Sequence, residues 1–181
     1  HRRYHRHTNH RPKSFVVKHI ALCLQFVVYI QRNQPEEAMK VAASMVEKNP
    51  ASHTGWYLKG CVELNLTKDY AAARESFKRA IEIDPTFVDA NVNMAYTFMN
   101  EVVSRRNAGD WKLDRSNKAE FDKEFEEIKK YYEQALPYME RAHELVPNQP
   151  KVWAAALQQI YTNLQNKQKA DEMDAILSTA Y

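Results

Sequence analysis

The segment AAARESFKRAIEIDP, residues 71–85, spaces small and large apolar residues as a helix would and then reaches a proline. Ala73, Phe77 and Ala80 are four and three positions apart, so they share one face of a helix. Small residues on that face let a neighbouring helix approach closely. Pro85 ends the helix, because its ring removes a backbone donor and crowds the preceding turn. The pattern therefore predicts an amphipathic helix that packs against other helices.

The same spacing recurs elsewhere in the chain. It is found at Ala135, Met139, Ala142 and Pro147, and more loosely at Ala38, Ala42, Met45 and Pro50. Each of these helices is preceded by another apolar helical segment, and Pro50 to Pro85 is 35 residues. Repetition at such a period indicates stacked helical hairpins. We predict an all-α fold, an α-α superhelix of about four hairpins. The predicted domain is residues 14–181, with repeats at about 14–50, 51–85, 86–147 and 148–181.

The third unit is longer than the others, since Pro85 to Pro147 is 62 residues. We place the insertion at about residues 104–120, between the two helices of the unit. The first helix is expected to begin with Thr86 as its N-cap. The second is expected to carry one apolar stripe over about 28 residues, with a kink at Pro137. These helices would form an antiparallel hairpin that projects past the solenoid.

The tip of this hairpin carries Trp111 and Leu113. Two interpretations of Trp111 remain open. Its indole could fold back on Val103 or Phe121 and close the hairpin. Alternatively, it could be an exposed anchor for a partner, because tryptophan is favoured at binding hot spots.

The repeated unit resembles the tetratricopeptide repeat (TPR). Trp56 and Gly60 match its first helix, and Ala73, Phe77, Ala80 and Pro85 match its second, provided that one residue is inserted near Thr67. In the fourth unit, Leu157, Tyr161 and Ala170 match positions of the same repeat. The segments KRAIEIDPTFVDA, ALPYMERAHELVP and LQQIYTNL are similar to bacterial TPR proteins of the Bacteroidetes type. That resemblance implies a periplasmic or exported protein, although a cytoplasmic location stays open.

In TPR proteins the first helix of each pair lines a concave groove that binds a peptide or a protein. The resemblance implies that seven residues face this groove: Tyr57, Cys61, Asn93, Tyr96, Asn100, Gln159 and Asn163. For Tyr57, Cys61 and Tyr96, packing against neighbouring helices is an equal alternative. Some TPR proteins hold a terminal carboxylate with a set of Lys, Arg and Asn residues. Only Asn93 falls at such a position here, so recognition of chaperone tails is not expected.

Catalytic and cofactor signatures are missing from the sequence. It has only three glycines, which disfavours β-hairpins and phosphate-binding loops. HExxH, CxxC, GxSxG and P-loop patterns do not occur. The four histidines at positions 1, 5, 7 and 10 lie in a basic tract without a second ligand cluster, so no metal site is predicted. We expect a non-enzymatic interaction scaffold without a cofactor, whose partner is a protein or peptide.

Charge and exposed ends suggest two alternatives. Residues 1–33 hold seven Lys or Arg and no acid, whereas the rest holds 19 basic and 23 acidic residues. The basic His/Arg-rich tail, residues 1–13, could attach the chain to nucleic acid or an acidic membrane, although we expect neither. The apolar segment at residues 15–30 is too short to span a bilayer. The last helix, residues 168–180, exposes an apolar edge that could form homo-oligomers, making the chain a structural subunit.

Overall fold

A computed structural model of the chain describes residue 22 and residues 24–179. The predicted basic tail, residues 1–13, lies outside the described residues, and so does Cys23. All regular structure in the described part is helical, and no strand occurs there. The predicted all-α fold of stacked helical hairpins is confirmed.

The described residues form eight helices. They are α1 (residues 24–31), α2 (Pro35–Lys48), α3 (His53–Val62), α4 (Tyr70–Ile83), α5 (Val88–Ala108), α6 (Lys118–Leu145), α7 (Pro150–Asn163) and α8 (Lys167–Thr179). Each helix from α2 onward packs mainly against its neighbours in sequence. Packing is more extensive within α3–α4, α5–α6 and α7–α8 than between these pairs. Helices α1 and α2 share one buried cluster, so the chain forms four helical pairs stacked one after another.

The recurring alanines lie where helices approach most closely. Six of them have no exposed surface: Ala38, Ala42, Ala73, Ala80, Ala135 and Ala142. Phe77 is also fully buried, and its ring lies on Gly60 of α3. A Cβ atom on Gly60 would come within 2.7 Å of that ring. The pairing of a glycine with a large residue thus sets the distance between α3 and α4.

The extra residue near Thr67 takes the form of a π-helical turn. Residues Glu63–Thr67 continue α3 as this turn, which holds more residues than an α-helical turn. Lys68 follows in the left-handed conformation with φ 57°, and its N–H and that of Asp69 both donate to the Glu63 carbonyl. The Asp69 carboxylate then caps α4 by accepting the Ala72 N–H at 3.0 Å. The insertion therefore redirects the chain between α3 and α4.

The predicted N-cap at Thr86 is wrong. Helix α5 begins at Val88, and its N-cap is Phe87, which has no side-chain capping bond. Thr86 instead donates its N–H and its hydroxyl to one oxygen of Asp84, at 3.0 and 2.7 Å. These bonds hold the turn that follows α4, and they lower the pKa of Asp84.

The loop in the third unit is shorter than the predicted insertion at residues 104–120. Helix α5 continues to Ala108, and α6 begins at Lys118 and runs without interruption through Pro137. Gly109 ends α5 in the left-handed region with φ 83°. With 21 residues against the 14 of α7, α5 is longer by about 10 Å.

Trp111 is only 4% exposed, so it is not the exposed anchor that one interpretation required. Its ring meets Tyr131 edge-on at 6.1 Å, and the Arg105 guanidinium lies 4.5 Å from its centre. The indole N–H donates to Glu127 at 3.1 Å. Trp111 therefore closes the α5–α6 hairpin through Tyr131, Arg105 and Glu127.

Leu113, the other residue of the predicted tip, is half-buried. The Glu124 carboxylate accepts the N–H of Leu113 at 2.7 Å and that of Lys112 at 3.1 Å. The same carboxylate is almost fully buried, and these two bonds compensate for its lost hydration. Both tip residues thus belong to the inner structure of the hairpin.

Candidate binding groove

The first helix of each of the last three pairs carries the predicted groove residues. In a stacked array these helices line the inner surface, which we call the groove (the face of α3, α5 and α7). Of the seven predicted residues, Gln159 is exposed and the other six are half-buried. All seven are uncharged side chains at neutral pH. They form two groups: Tyr57, Cys61, Asn93, Tyr96 and Asn100 on α3 and α5, and Gln159 and Asn163 on α7.

Tyr57, Cys61 and Asn93 are in contact across α3 and α5. The Asn93 amide donates to the Tyr57 hydroxyl at 3.1 Å, and it lies 3.9 Å from the Cys61 sulfur. The Tyr57 ring also meets Phe87 edge-on at 4.9 Å. These contacts fix the Asn93 side chain and join two helices of the groove.

Burial sets the protonation state of this cluster. It raises the pKa of the Cys61 thiol to about 11, a shift that a bond with Tyr57 partly opposes. It also raises the pKa of Tyr57, with a smaller contribution from Cys61. Both groups therefore keep their protons at neutral pH. The cluster is polar and neutral, and Cys61 is a poor nucleophile there because its thiolate is scarce.

Tyr96 and Asn100 follow Asn93 along α5 at helical spacing. Neither side chain makes a hydrogen bond to another residue in the part of the chain that the structure describes. Tyr96 packs its ring against the core, whereas its hydroxyl stays free. The Asn100 amide offers both donors and an acceptor. These two groups are open to a ligand.

The two α7 residues are already engaged. The Gln159 side-chain amide donates to the Tyr132 hydroxyl at 3.4 Å, and the Asn163 side-chain amide donates to the backbone carbonyl of Gln159 at 2.8 Å. The Gln159 bond is long, so it is weak, although its acceptor Tyr132 is buried. A ligand that replaces it must therefore supply a new partner to the Tyr132 hydroxyl.

Sequence reasoning missed a cavity of about 360 Å³ beside Asn100. Its lining is completed by Lys68, Tyr70, Val103, Ser104 and Asn107. Two signals could have indicated it: the residue inserted near Thr67 and the lengthened third unit. Both lie at the cavity, because Lys68 follows the π-turn and Asn107 lies in the last turn of α5.

Within residue 22 and residues 24–179, no group of three or more His, Cys, Asp or Glu side chains could hold a metal ion. No helix in this part of the chain combines the length and apolar character needed to cross a membrane.

Comparison with known proteins agrees with this architecture. Residues 53–87, which contain α3 and α4, match the tetratricopeptide repeat family. A crystal structure of MamA protein superposes with a TM-score of 0.59 at 14% identity, covering 87% of this chain and 68% of that one. A second MamA structure gives 0.57 at 15% identity, with coverage of 87% and 78%. No curated protein matches the sequence.

The TPR2B domain of yeast Sti1, solved as a complex with pHsp70, is also similar in fold. Its TM-score is 0.55 at 18% identity, and the match covers 83% of this chain and 98% of that one. The fold defines the chain as an α-α solenoid of the TPR type. The predicted resemblance to TPR proteins is thus confirmed, with residues 53–87 as its matched repeat.

Proposed function

We propose that this protein is a non-enzymatic interaction scaffold that binds an extended segment of a protein or peptide partner in the groove. The observation that carries the proposal is the pair Tyr96 and Asn100, half-exposed on α5 with free polar groups. Neutral hydroxyl and amide groups match the donors and acceptors of a peptide backbone. Next to them, the Tyr57, Cys61 and Asn93 cluster gives a rigid wall.

The similar structures support the class of function and leave the partner open. The Sti1 TPR2B domain is solved in complex with pHsp70, so a fold of this kind can hold a protein ligand. This chain has only Asn93 of the residues expected for carboxylate capture. We therefore propose a partner other than a chaperone tail.

A displayed library of random twelve-residue peptides provides the test ligand. The full chain is used to select binders, and their dissociation constants are then measured by fluorescence anisotropy. Replacing both Tyr96 and Asn100 by alanine should weaken binding about tenfold or more, because two polar contacts and a ring surface are lost.

The control pair is Gln134→Ala with Gln168→Ala, two exposed amides on the second helices α6 and α8. It should leave affinity unchanged, and circular dichroism should show intact helices in both double variants. Peptides that bind the Tyr96 and Asn100 variant as well as the unmodified chain would place binding outside the groove and refute the proposal.

Self-association is a second candidate, favoured by an apolar face on α1. Leu24, Val27 and Val28 are 64%, 48% and 41% exposed. Exposed apolar residues this close together on one helix are typical of an interface. Sedimentation velocity at rising concentration should then show a dimer that Leu24→Glu with Val28→Glu abolishes. Val103→Glu, at another exposed valine, is the matched control, and a monomer at all concentrations would reject this candidate.

A further inference from the structure

The cavity beside Asn100 lies between the π-turn after α3 and the C-terminal half of α5. Asn100, Val103, Ser104 and Asn107 follow the i, i+3, i+4, i+7 spacing, so they form one stripe along α5. Lys68, which follows the π-turn, and Tyr70, the first residue of α4, form the facing wall. The stripe begins at Asn100, a predicted groove residue, so the cavity and the groove share this side chain.

Two departures from the repeat pattern build this cavity. Lys68 follows the π-turn in the left-handed conformation. This conformation fixes the backbone position from which the Lys68 side chain extends. The lengthened third unit supplies the other wall. A helix as short as α7 that began at Val88 would end before Val103, so the stripe would lose three of its four residues.

The charges of the cavity are unbalanced. Lys68 is the only ionised residue in its lining, and its ammonium group has no ion pair or hydrogen bond with any residue that the structure describes. Asp69, the adjacent acid, already accepts the Ala72 N–H with one carboxylate oxygen. Ser104, Asn100 and Asn107 are neutral, and Val103 is 48% exposed. The cavity thus offers one cation, two amides and an apolar surface.

We propose that this cavity binds an aspartate or glutamate side chain of the peptide that occupies the groove. The Lys68 ammonium is its counter-ion, Asn100 and Asn107 bind the adjoining peptide backbone, and Val103 contacts a neighbouring apolar side chain. The inference rests on the proposed function, because Asn100 belongs to both sites. It adds an acidic residue as the feature that the partner must present.

The test uses peptides selected from the random library by the full chain. Each acidic residue of a binder is replaced by its amide, and affinity is measured for the unmodified protein and for Lys68→Gln. One acid-to-amide change should weaken binding about three- to tenfold on the unmodified protein and have little effect on Lys68→Gln. Lys68→Arg should retain the preference for the acidic over the amide peptide, because the positive charge is kept. Lys78→Gln, at an exposed lysine of α4, is the control and should also retain that preference.

The outcomes separate this inference from the proposed function. Binders that depend on Tyr96 and Asn100 but not on Lys68 would overturn the acidic subsite and leave the groove function standing. If no acid-to-amide replacement weakens the binding of the selected peptides, the acidic subsite is also overturned. Failure to select any peptide that depends on Tyr96 and Asn100 would overturn both.

Discussion

Gly60 and Phe77 show how a single missing side chain sets the spacing of two helices. The Phe77 ring fills the space that a Cβ on residue 60 would occupy, and both residues are fully buried or nearly so. Glycine is otherwise unfavourable inside a helix by about 1 kcal/mol relative to alanine. Close packing in this place therefore outweighs local helix propensity.

Gly60→Ala is expected to lower the free energy of unfolding by about 1–3 kcal/mol, because the new methyl group overpacks the core. Gly55→Ala is the matched control in the same helix. Its Cβ would meet its nearest neighbours at 3.4 Å, so stability should be unchanged or rise by up to about 1 kcal/mol. Urea unfolding followed by circular dichroism measures both. A gain in stability for both variants would contradict the packing argument.

Cys61 should react slowly with thiol reagents while the protein is folded. Since burial raises its pKa to about 11, deprotonation moves to high pH, and the rate should climb about tenfold per pH unit from pH 8 to near 11. At pH 8 we expect a rate at least about tenfold below that of the urea-unfolded chain. A Cys23→Ser variant leaves one thiol to follow. A rate that levels off near pH 8.5 would show an ordinary thiol instead.

At the scale of elements, apolar periodicity predicts helices well and their boundaries less well. The α6 stripe is visible in the sequence because its residues repeat every three or four positions over the whole helix. The start of α5 differs from the prediction because Thr86 can either cap the helix or stabilise the preceding turn. In the structure it donates to Asp84 in that turn. A single capping preference cannot decide between two local hydrogen bonds of similar strength.

Trp111→Ala should loosen the α5–α6 hairpin more than it affects the rest of the chain. Removing a buried indole costs about 3–5 kcal/mol, and it would also remove the hydrogen bond to Glu127 and the contact with the Arg105 guanidinium. Hydrogen exchange followed by mass spectrometry should show faster exchange at residues 104–124. Lys112→Ala, at an exposed neighbour, is the control. Unchanged exchange in that segment would mean that the indole does not close the hairpin.

At the scale of the whole molecule, the repeat pattern predicted the architecture, whereas the departures from it created the cavity. The candidate groove residues were predicted from their register in the repeat. Lys68 and Asn107 have no such register, because one follows an inserted residue and the other lies in an extended helix. The inserted residue and the lengthened unit each mark one wall of the cavity in the sequence, but that the two walls meet depends on how α4 and α5 pack.

Because the helices pack mainly against their sequence neighbours, stability should also be local. Phe77→Leu removes packing between α3 and α4, and it should speed hydrogen exchange in those helices while α7 and α8 keep most of their protection. Met173→Ala in α8 is the reciprocal variant, expected to speed exchange in α7 and α8 and spare α3 and α4. If either substitution instead speeds exchange equally in all helices, the chain unfolds as one cooperative unit. The pairs would then be coupled far beyond their shared interfaces, and a ligand bound between α3 and α5 would stabilise α8 as strongly as α4.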